Sequence, residues 1–508
     1  MRLAELVESI GGAVGPSAPQ LGDIEIVGVS LSSSSTDSGV LFAALPGHRT
    51  HGARFVSDAV GRGAAAILTD DQGREIIEAL GDVDVPVITV FDPRSTMSNV
   101  ASMLAGHPQE SISMVGITGT NGKTTVAHMV QSALDAQGVQ CGVIGTLGSH
   151  FGDRVSVPSA RTTPEATDLF PILRTFRDAG AQAVVMEVSS IALCEHRVDG
   201  ICFDTAVFTG LSHDHLDYHR DMEDYFAAKS QLFDPERARG GVVLVDDEWG
   251  VRLAREASIP VTTVRTTVNE RGSDDQFNED ADWTVRRRGN ELILHGVRDV
   301  AFDVPISAGF ALANAALAIV TAHTMGVALD VAAGAVSRAR VPGRMELVSD
   351  LGGIDFIVDY AHTPDAVEQV VRGALEQRVG ESGRVIVVVG AGGDRDPHKR
   401  SGMGRAASLA DVTFITDDNP RSEDPQRIRA GVLAGVRDGS DVREIASRRQ
   451  AIAEAVELAR AGDVVLLLGK GHEATQERAE GLVPFDDREV LAFFVGRRFG
   501  GGSKEGVT

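Results

Sequence analysis

Cysteine is scarce in this chain: three in 508 residues, Cys141, Cys194 and Cys202. They form no CxxC pair and no framework with histidine at zinc spacing, which excludes a disulfide scaffold and a zinc ribbon. A reducing cytosol is the expected compartment. Positive charge is also short, with 48 Lys and Arg against 72 Asp and Glu and a formal charge of −24. The chain therefore lacks the basic footprint of a general nucleic-acid binder. An anionic ligand stays open, because a local nest of backbone N–H groups overrides the global field. Long apolar runs are missing as well. No stretch of about 18 apolar residues could cross a bilayer, and the opening MRLAELVESIGGAVG lacks a signal-peptide core. A cytoplasmic protein without a membrane span is expected.

What is present is an ordinary globular composition, 43% hydrophobic and 24% charged, in the usual range. At roughly 150 residues per domain the length predicts about three domains. Short β-rich runs alternate with helical patterns. Ser113–Thr118, Ala183–Glu187, Asp204–Thr209 and Val242–Val245 are strand candidates, and the residues up to Ala136 form a helix after the first. Ile354–Val358, Val385–Val389, Thr413–Thr416 and Val464–Leu468 repeat the rhythm, and Gly39–Leu45 and Ala64–Leu68 begin a weaker one. Alternating strands and helices imply parallel sheets covered by helices. The segment Ala105–Ser111 reads as a linker and Val341–Gly343 as a second boundary, dividing the chain into 1–108, 109–341 and 342–508. The expected class is α/β with three domains: a smaller N-terminal α/β domain, a central P-loop-type, mainly parallel sheet, and a C-terminal Rossmann-like domain. The polar stretch Thr266–Asp282 reads as a surface excursion and the tail from Gly500 as disordered.

The sharpest local signal is SMVGITGTNGKTT, Ser113 to Thr125. An apolar strand enters, glycines turn the chain, and Lys123-Thr124-Thr125 open a helix. Gly119 and Gly122 let the backbone approach a polyphosphate, with Thr120, Asn121 and the helix-start N–H groups around its anionic oxygens. Lys123 would reach the β/γ-phosphates and the Thr124 hydroxyl would bind Mg²⁺. The pattern departs from GxxxxGK[ST], because Ile117 stands where a glycine belongs and Gly116 comes one residue early. The bland alternative is a plain strand-to-helix turn.

The string TGTNGKTT resembles the phosphate loop of the Mur ligases, three-domain enzymes that add amino acids to UDP-N-acetylmuramic acid in bacterial wall synthesis. Further motifs agree in the family's order. They are MEVSS at Met186–Ser190, DHLDYH at Asp214–His219, AAK at Ala227–Lys229, GRME at Gly343–Glu346, DYAHTPD at Asp359–Asp365, GGDRD at Gly392–Asp396, DDNPR at Asp417–Arg421 and GKGHE at Gly469–Glu473. A carboxylate such as Glu187 at a strand end suits Mg²⁺, a cation that prefers oxygen ligands; otherwise it is a strand-end residue facing water. The resemblance implies that His215 is a second metal ligand and that Lys229 is carbamylated, giving an oxygen ligand for a second Mg²⁺. By residues alone, His213, His215 and His219 could be zinc ligands or polar loop residues, and Lys229 an ordinary solvated charge.

The resemblance also assigns the substrates. Asn314, Arg344 and His362 fall near ATP. Thr162, Thr163, Ser189, Glu195 and Arg197 fall near the muramoyl peptide. Ser30, Ser32 and the loop with His48, Arg49 and Thr50 occupy the stretch that holds the uridine diphosphate, where Arg49 or His48 could pair with phosphate. DNPR and GKGHE resemble the branch that adds a diamino acid, with Arg421 associated with meso-diaminopimelate. That amino acid differs from lysine by a second carboxylate, which a guanidinium grips in a bidentate fork. Arg395, Asp418, Asn419, Pro420, Gly469 and Glu473 would complete the pocket, with Glu473 facing the distal ammonium. Asp-Asn-Pro is also a good turn, a reading that leaves Arg421 unassigned.

Departures from the family pattern are Ile191 after MEVSS, Glu195 for a common Gln, Arg161 for a common Asn, Ser32-Ser33-Ser34 for DSR, and Ser401 after Lys399-Arg400. They leave room for lysine or ornithine as the added amino acid. The implied reaction is phosphorylation of a carboxylate by ATP with two Mg²⁺, then attack by an amine on the acyl phosphate. The expected partners are the UDP-N-acetylmuramoyl dipeptide, ATP and a diamino acid, with no nucleic acid, and the expected state is a monomer. Competing readings are a folylpolyglutamate-type ligase, a non-catalytic nucleotide-binding paralogue and an ordinary P-loop NTPase.

Overall fold

A computed structural model describes residues 1–14, 21–47, 50–81, 83–158, 161–216, 218–266, 281–288, 291–304, 309–377 and 383–500. Most of the expected excursion Thr266–Asp282, the tail beyond Gly500, and His48 and Arg49 lie outside the described residues. Three large sheets, of five, eleven and six strands, carry the described fold in chain order.

In the first sheet, Gly28–Ser30, Val40–Ala43, Ala66–Thr69 and Val87–Thr89 run parallel, and Ala13–Val14 closes one edge antiparallel. The helix Pro93–Ala105 follows. Asp92 caps it by accepting from the Arg94 and Ser95 N–H groups, and Pro93 occupies the first helical turn, where a missing N–H is harmless. Gly106, with φ 73°, ends it. This helix packs onto the next domain: Ser95 Oγ donates to Asp199 Oδ2 at 2.8 Å. Gln109 Nε2 reaches the Gly200 carbonyl at 3.1 Å. The expected linker Ala105–Ser111 is thus a packed turn containing the short 3-10 helix Pro108–Glu110.

The central sheet has a parallel middle: Val261–Arg265, Gly241–Leu244, Thr205–Phe208, Ser113–Thr118, Ala183–Glu187 and Cys141–Gly145, in that spatial order. Helices cover both faces, so the inner strands Gly241–Leu244, Thr205–Phe208, Ser113–Thr118 and Ala183–Glu187 are buried on both sides and read as mainly apolar runs, whereas Val261–Arg265, toward the edge, is half-exposed. On one face Lys123–Ala136, Gly309–Thr324 and Leu329–Arg338 build one core. On the other, Ala166–Asp178 joins Pro93–Ala105 in a core continuous with the first domain. Antiparallel strands extend both edges: Gly148–Phe151 and Val155–Val157 on one, Glu291–His295 and Val300–Phe302 on the other, beyond Trp283–Arg288. Strand Ser113–Thr118 lies between Ala183–Glu187 and Thr205–Phe208, with Ile117 opposite Glu187 and Thr118 opposite Phe208. Their carboxyl ends therefore converge on one point, where open α/β sheets bind ligands.

The third sheet pairs Glu346–Ser349 antiparallel with Asp355–Asp359 and continues in parallel through Val464–Leu468, Val385–Val389, Val412–Ile415 and Asp441–Glu444. A hairpin, Thr475–Arg478 with Gly481–Pro484, stands beside it. Its core holds a fully buried ion pair. Arg448 Nε and Nη2 donate to the two Asp487 oxygens at 2.8 and 2.6 Å, and Nη2 also reaches the Leu468 carbonyl at 2.9 Å. Breaking a buried pair strands one charge, whereas replacing both with apolar groups is often neutral. Asp487→Ala should therefore destabilise the C-terminal domain by about 3–5 kcal/mol, and the double variant Arg448→Met/Asp487→Leu should recover most of it. Urea midpoints of the three proteins check this.

Candidate functional site

The chain leaves strand Ser113–Thr118 and enters helix Lys123–Ala136 through four residues that have almost no room. Gly119 has φ 145° and Gly122 φ 86°, a region costly for side chains other than glycine. A Cβ on Gly119 would meet Thr209 Oγ1 at 2.0 Å, and one on Gly122 would meet Asn314 Oδ1 at 2.3 Å. Thr120 exchanges hydrogen bonds with Ser212, its hydroxyl donating to the carbonyl at 3.2 Å and accepting from the N–H at 3.0 Å. The loop is therefore bare and held from the side, with helix N–H groups opening beyond it.

Three groups converge beneath its exit. Glu187 is 1% exposed. Its carboxylate accepts from Thr124 Oγ1 at 2.9 and 3.0 Å, from the Thr146 N–H at 2.8 Å and from Thr146 Oγ1 at 3.1 Å. Lys123 Nζ donates to the Gly119 and Thr120 carbonyls at 2.9 and 2.8 Å. Burial lowers its pKa from the ordinary lysine value, against the pull of Glu187 and Asp214.

Lys229 is not the solvated charge that its helix position suggests. It is 1% exposed, donates to the Gly119 carbonyl at 2.8 Å, and lies 4.5 Å from the centre of the Tyr225 ring. Burial, helped by the nearby Lys123 charge, drives its pKa well below the lysine value. His215 sits on the adjoining loop with φ 55° and its Nε2 lies 3.6 Å from Asp214 Oδ2. Burial opposes ionisation of Asp214, but His215, His362 and Lys123 outweigh it and hold its pKa below the usual carboxylate value. His219 is structural: it is buried, and its Nε2 lies 2.8 Å from Ser190 Oγ. Among the described residues no three His, Cys, Asp or Glu side chains gather as a metal-binding group, so zinc at these histidines finds no support.

The third domain supplies the opposite wall of a cleft of about 2060 Å³. Arg344 Nη2 donates to Thr124 Oγ1 at 3.3 Å and its guanidinium lies 4.2 Å from the Tyr360 ring centre. Asp359 fixes the turn before it, accepting from the Met345 and Ala361 N–H groups, both at 2.7 Å. His362 is pulled down to about 4 by burial and by the Lys399 charge, so it is a neutral imidazole at pH 7.

Farther along, Asn419 Nδ2 and Lys470 Nζ donate to the same Glu473 oxygen at 2.7 and 3.1 Å. Arg421 Nε donates to Glu477 Oε2 and its Nη1 to the Gly393 carbonyl, both at 2.7 Å. Gly469, with φ 112°, lets Asp418 close in; a Cβ there would lie 2.6 Å from its Oδ2. Arg395, Asp418, Asn419, Arg421, Gly469 and Glu473 all line the cleft with Asn314, Arg344 and His362, whereas Pro420 is not on its wall.

The central domain contributes Arg161, Thr162, Thr163, Ser189 and Arg197 to the same wall. Thr163 Oγ1 donates to the Glu187 carbonyl at 2.9 Å, and Ser189 caps a short helix by accepting from the Ala192 N–H. Arg197 pairs with Glu165 at 3.0 Å. Glu195 does not reach the cleft wall; it binds Arg94 at 3.0 Å and accepts from Tyr218 Oη at 3.0 Å. Ser30, Ser32 and Thr50 do not line the cleft either. Ser30 and Ser32 satisfy their hydroxyls locally, Ser30 on the Ser32 carbonyl at 3.0 Å and Ser32 against Ser34 at 2.7 Å.

Sequence reasoning missed Thr146, Glu165, Lys470 and Glu477. Thr146 follows strand Cys141–Gly145, and a hydroxyl residue after an apolar strand beside the phosphate loop was its only signal. Lys470 stood inside GKGHE but, like Lys229, its full burial has no signature in composition.

Three family models match in order: "Mur ligase family, catalytic domain" over 25–104, "Mur ligase middle domain" over 117–322, and "Mur ligase, glutamate ligase domain" over 343–471. The UDP-N-acetylmuramoyl-L-alanyl-D-glutamate--2,6-diaminopimelate ligase of Streptomyces coelicolor is 45% identical over 508 residues, covering 96% of this chain and 95% of that protein. The UDP-N-acetylmuramyl-tripeptide synthetase of Leifsonia xyli is 40% identical, covering 96% of this chain and 94% of that protein. A solved diaminopimelate ligase structure superposes with TM-score 0.67 at 29% identity, covering 98% and 99% of the two chains. The folylpolyglutamate synthase of Mycobacterium tuberculosis shares the fold at TM-score 0.59 and 20% identity but covers 81% of this chain. Matched by relatives of such identity over nearly its whole length, the chain belongs to the Mur ligase family.

Proposed function

We propose that this protein joins meso-2,6-diaminopimelate to UDP-N-acetylmuramoyl-L-alanyl-D-glutamate with hydrolysis of ATP to ADP and phosphate, in peptidoglycan synthesis. One observation carries the reading. A single cleft is lined by Lys123, Thr124 and Glu187 at one end and by Asn419, Arg421 and Glu473 at the other, so a phosphate-handling centre faces an Arg/Glu pocket suited to a zwitterionic amino acid. Several of the relatives are diaminopimelate ligases, which supports the substrates. The division at 1–108, 109–341 and 342–508 is part of this reading. So is a monomer in the cytoplasm; no helix among the described residues is long and apolar enough to cross a membrane.

In this mechanism the loop Gly119–Gly122 and the N–H groups of Lys123, Thr124 and Thr125 cradle the nucleotide phosphates. Asn314, Arg344 and His362 border the same end. The γ-phosphoryl passes to the D-glutamate carboxylate, giving an acyl phosphate. The amine of the diamino acid attacks, the tetrahedral intermediate collapses, and phosphate leaves. Lys123 and Arg344 offset the charge of the transferring group. Thr162, Thr163, Ser189 and Arg197 border the peptide, and Arg421 and Glu473 hold the distal carboxylate and ammonium. Closure of the third domain onto the second would exclude water from the acyl phosphate.

The oxygen set at Thr124 and Glu187 fits Mg²⁺, a hard cation, which when bound supplies neutralisation of phosphate charge. As an amine, Lys229 does not fit a metal. As a carbamate it would, and burial, which lowers its pKa, favours the neutral amine that reacts with CO₂: the nitrogen lone pair forms the C–N bond and a proton leaves. A second site with His215 rests on that modification.

Phosphate release by the purified protein with ATP, Mg²⁺ and the UDP-dipeptide should occur with diaminopimelate and not with lysine or ornithine. Release with lysine or ornithine alone would keep the ligase and overturn the amino-acid assignment. Arg421→Ala should lower kcat/KM for diaminopimelate by about 10- to 100-fold, the usual worth of hydrogen bonds to a charged group.

Lys229→Ala should lose nearly all turnover while keeping its melting temperature within a few degrees, and a short carboxylic acid should restore part of it. Because the carbamate forms from the neutral amine, bicarbonate should raise wild-type activity and acidification should lower it. A ¹³C-bicarbonate carbamate signal missing in the wild type would sink this assignment.

A further inference from the structure

Arg421 is held from behind by a residue outside every motif of the site. Glu477 lies on the hairpin strand Thr475–Arg478 and accepts from Arg421 Nε at 2.7 Å through Oε2, while its backbone carbonyl accepts from the Arg421 N–H at 3.0 Å. On the far side, Arg421 Nη1 donates to the Gly393 carbonyl at 2.7 Å. These contacts pin both ends of the guanidinium plane. The backbone of Arg421 also bears strain, with φ 53° in a non-glycine residue, a conformation that persists only where its surroundings over-determine it.

The hairpin is itself tied to the loop that carries Arg421. The Glu477 N–H donates to Asn419 Oδ1 at 2.9 Å, Gln476 Nε2 donates to the Asp418 carbonyl at 2.5 Å, and the buried Lys470 Nζ donates to the Thr475 carbonyl at 2.7 Å. The same Asn419 and Lys470 hold Glu473. One strand thus sets the spacing between the cationic and anionic ends of the pocket. Glu477 does not line the cleft, so it touches no substrate and acts through Arg421.

We infer that Glu477 is a positioning residue for amino-acid selectivity: it fixes the Arg421 guanidinium so that its remaining donors meet a second carboxylate on the incoming amino acid without first losing rotamer freedom. This inference rests on the proposed function, because it concerns the selectivity that Arg421 confers there. An arginine released from its partner must be ordered on binding, which weakens affinity by about three- to tenfold per immobilised long side chain. A glutamine keeps an acceptor oxygen for Nε and should preserve most of the positioning.

The test measures kcat and KM for diaminopimelate and for lysine with the wild type, Glu477→Gln and Glu477→Ala, together with melting temperatures. The wild type comes first: if it does not prefer diaminopimelate, the proposed function fails, and the inference with it. With that preference in place, Glu477→Ala should raise KM for diaminopimelate by about three- to tenfold with kcat nearly unchanged. The lysine constants should stay where they were, and Glu477→Gln should stay close to wild type. An unchanged or lower KM for diaminopimelate in a folded Glu477→Ala protein would overturn the inference. So would an equal loss with both amino acids, which marks a merely structural role.

Discussion

The constraint on which the site depends is the lack of space around the loop Gly119–Gly122. Two glycines in backbone regions hostile to side chains are pressed against Thr209 and Asn314 so closely that a methyl group on either would overlap an oxygen. The carbonyls that this bend turns inward do not go unsatisfied. Gly119 O accepts from both Lys123 and Lys229, at 2.9 and 2.8 Å. Two amines therefore meet at one carbonyl in a buried space, and burial, helped by the Lys123 charge, lowers the tendency of Lys229 to carry a proton. The electrostatics of Lys229 follow from the shape of the loop rather than from the helix on which that lysine lies.

Much of this was legible beforehand, and the reason is burial. Strands Ser113–Thr118, Ala183–Glu187, Val385–Val389 and Val464–Leu468 run where apolar runs predict them, because a parallel strand covered on both faces has no polar positions to blur it. The Asp441–Glu444 edge strand, spelled DVRE, and the hairpin at Thr475–Pro484 left no such trace. An edge is half-exposed and tolerates charge, so composition does not separate it from a loop.

The site divides along a similar line. Residues that work through backbone geometry, such as Gly119 and Gly122, announce themselves by being glycine next to Lys-Thr. Those that work through long-range placement do not. Glu187 could have been a solvated strand-end carboxylate; what makes it a ligand candidate is that Thr124 and Thr146, distant in sequence, both point hydroxyls at it. The first-domain serines show the converse. Their pattern suggested a binding turn, but the Ser30 hydroxyl is satisfied by the Ser32 carbonyl and the Ser32 hydroxyl by Ser34, which any serine-rich turn can do.

The first-domain arrangement also bears on how the cleft is kept in shape. Arg94, on the helix that ends the first domain, pairs with Glu195 at 3.0 Å and lies 3.7 Å from Glu165, and Glu165 in turn holds Arg197, a cleft-wall residue. Glu165 and Arg197 are both largely withdrawn from water, so the ion pair between them is screened less than a surface pair would be. The two carboxylates thus serve Arg94, Arg161 and Arg197 together, which couples a first-domain arginine to two arginines on the cleft wall. A glutamate at position 195 rather than a neutral amide gives Arg94 a charged partner at 3.0 Å, and a charge-assisted bond ties the first domain to this wall more firmly than a neutral one.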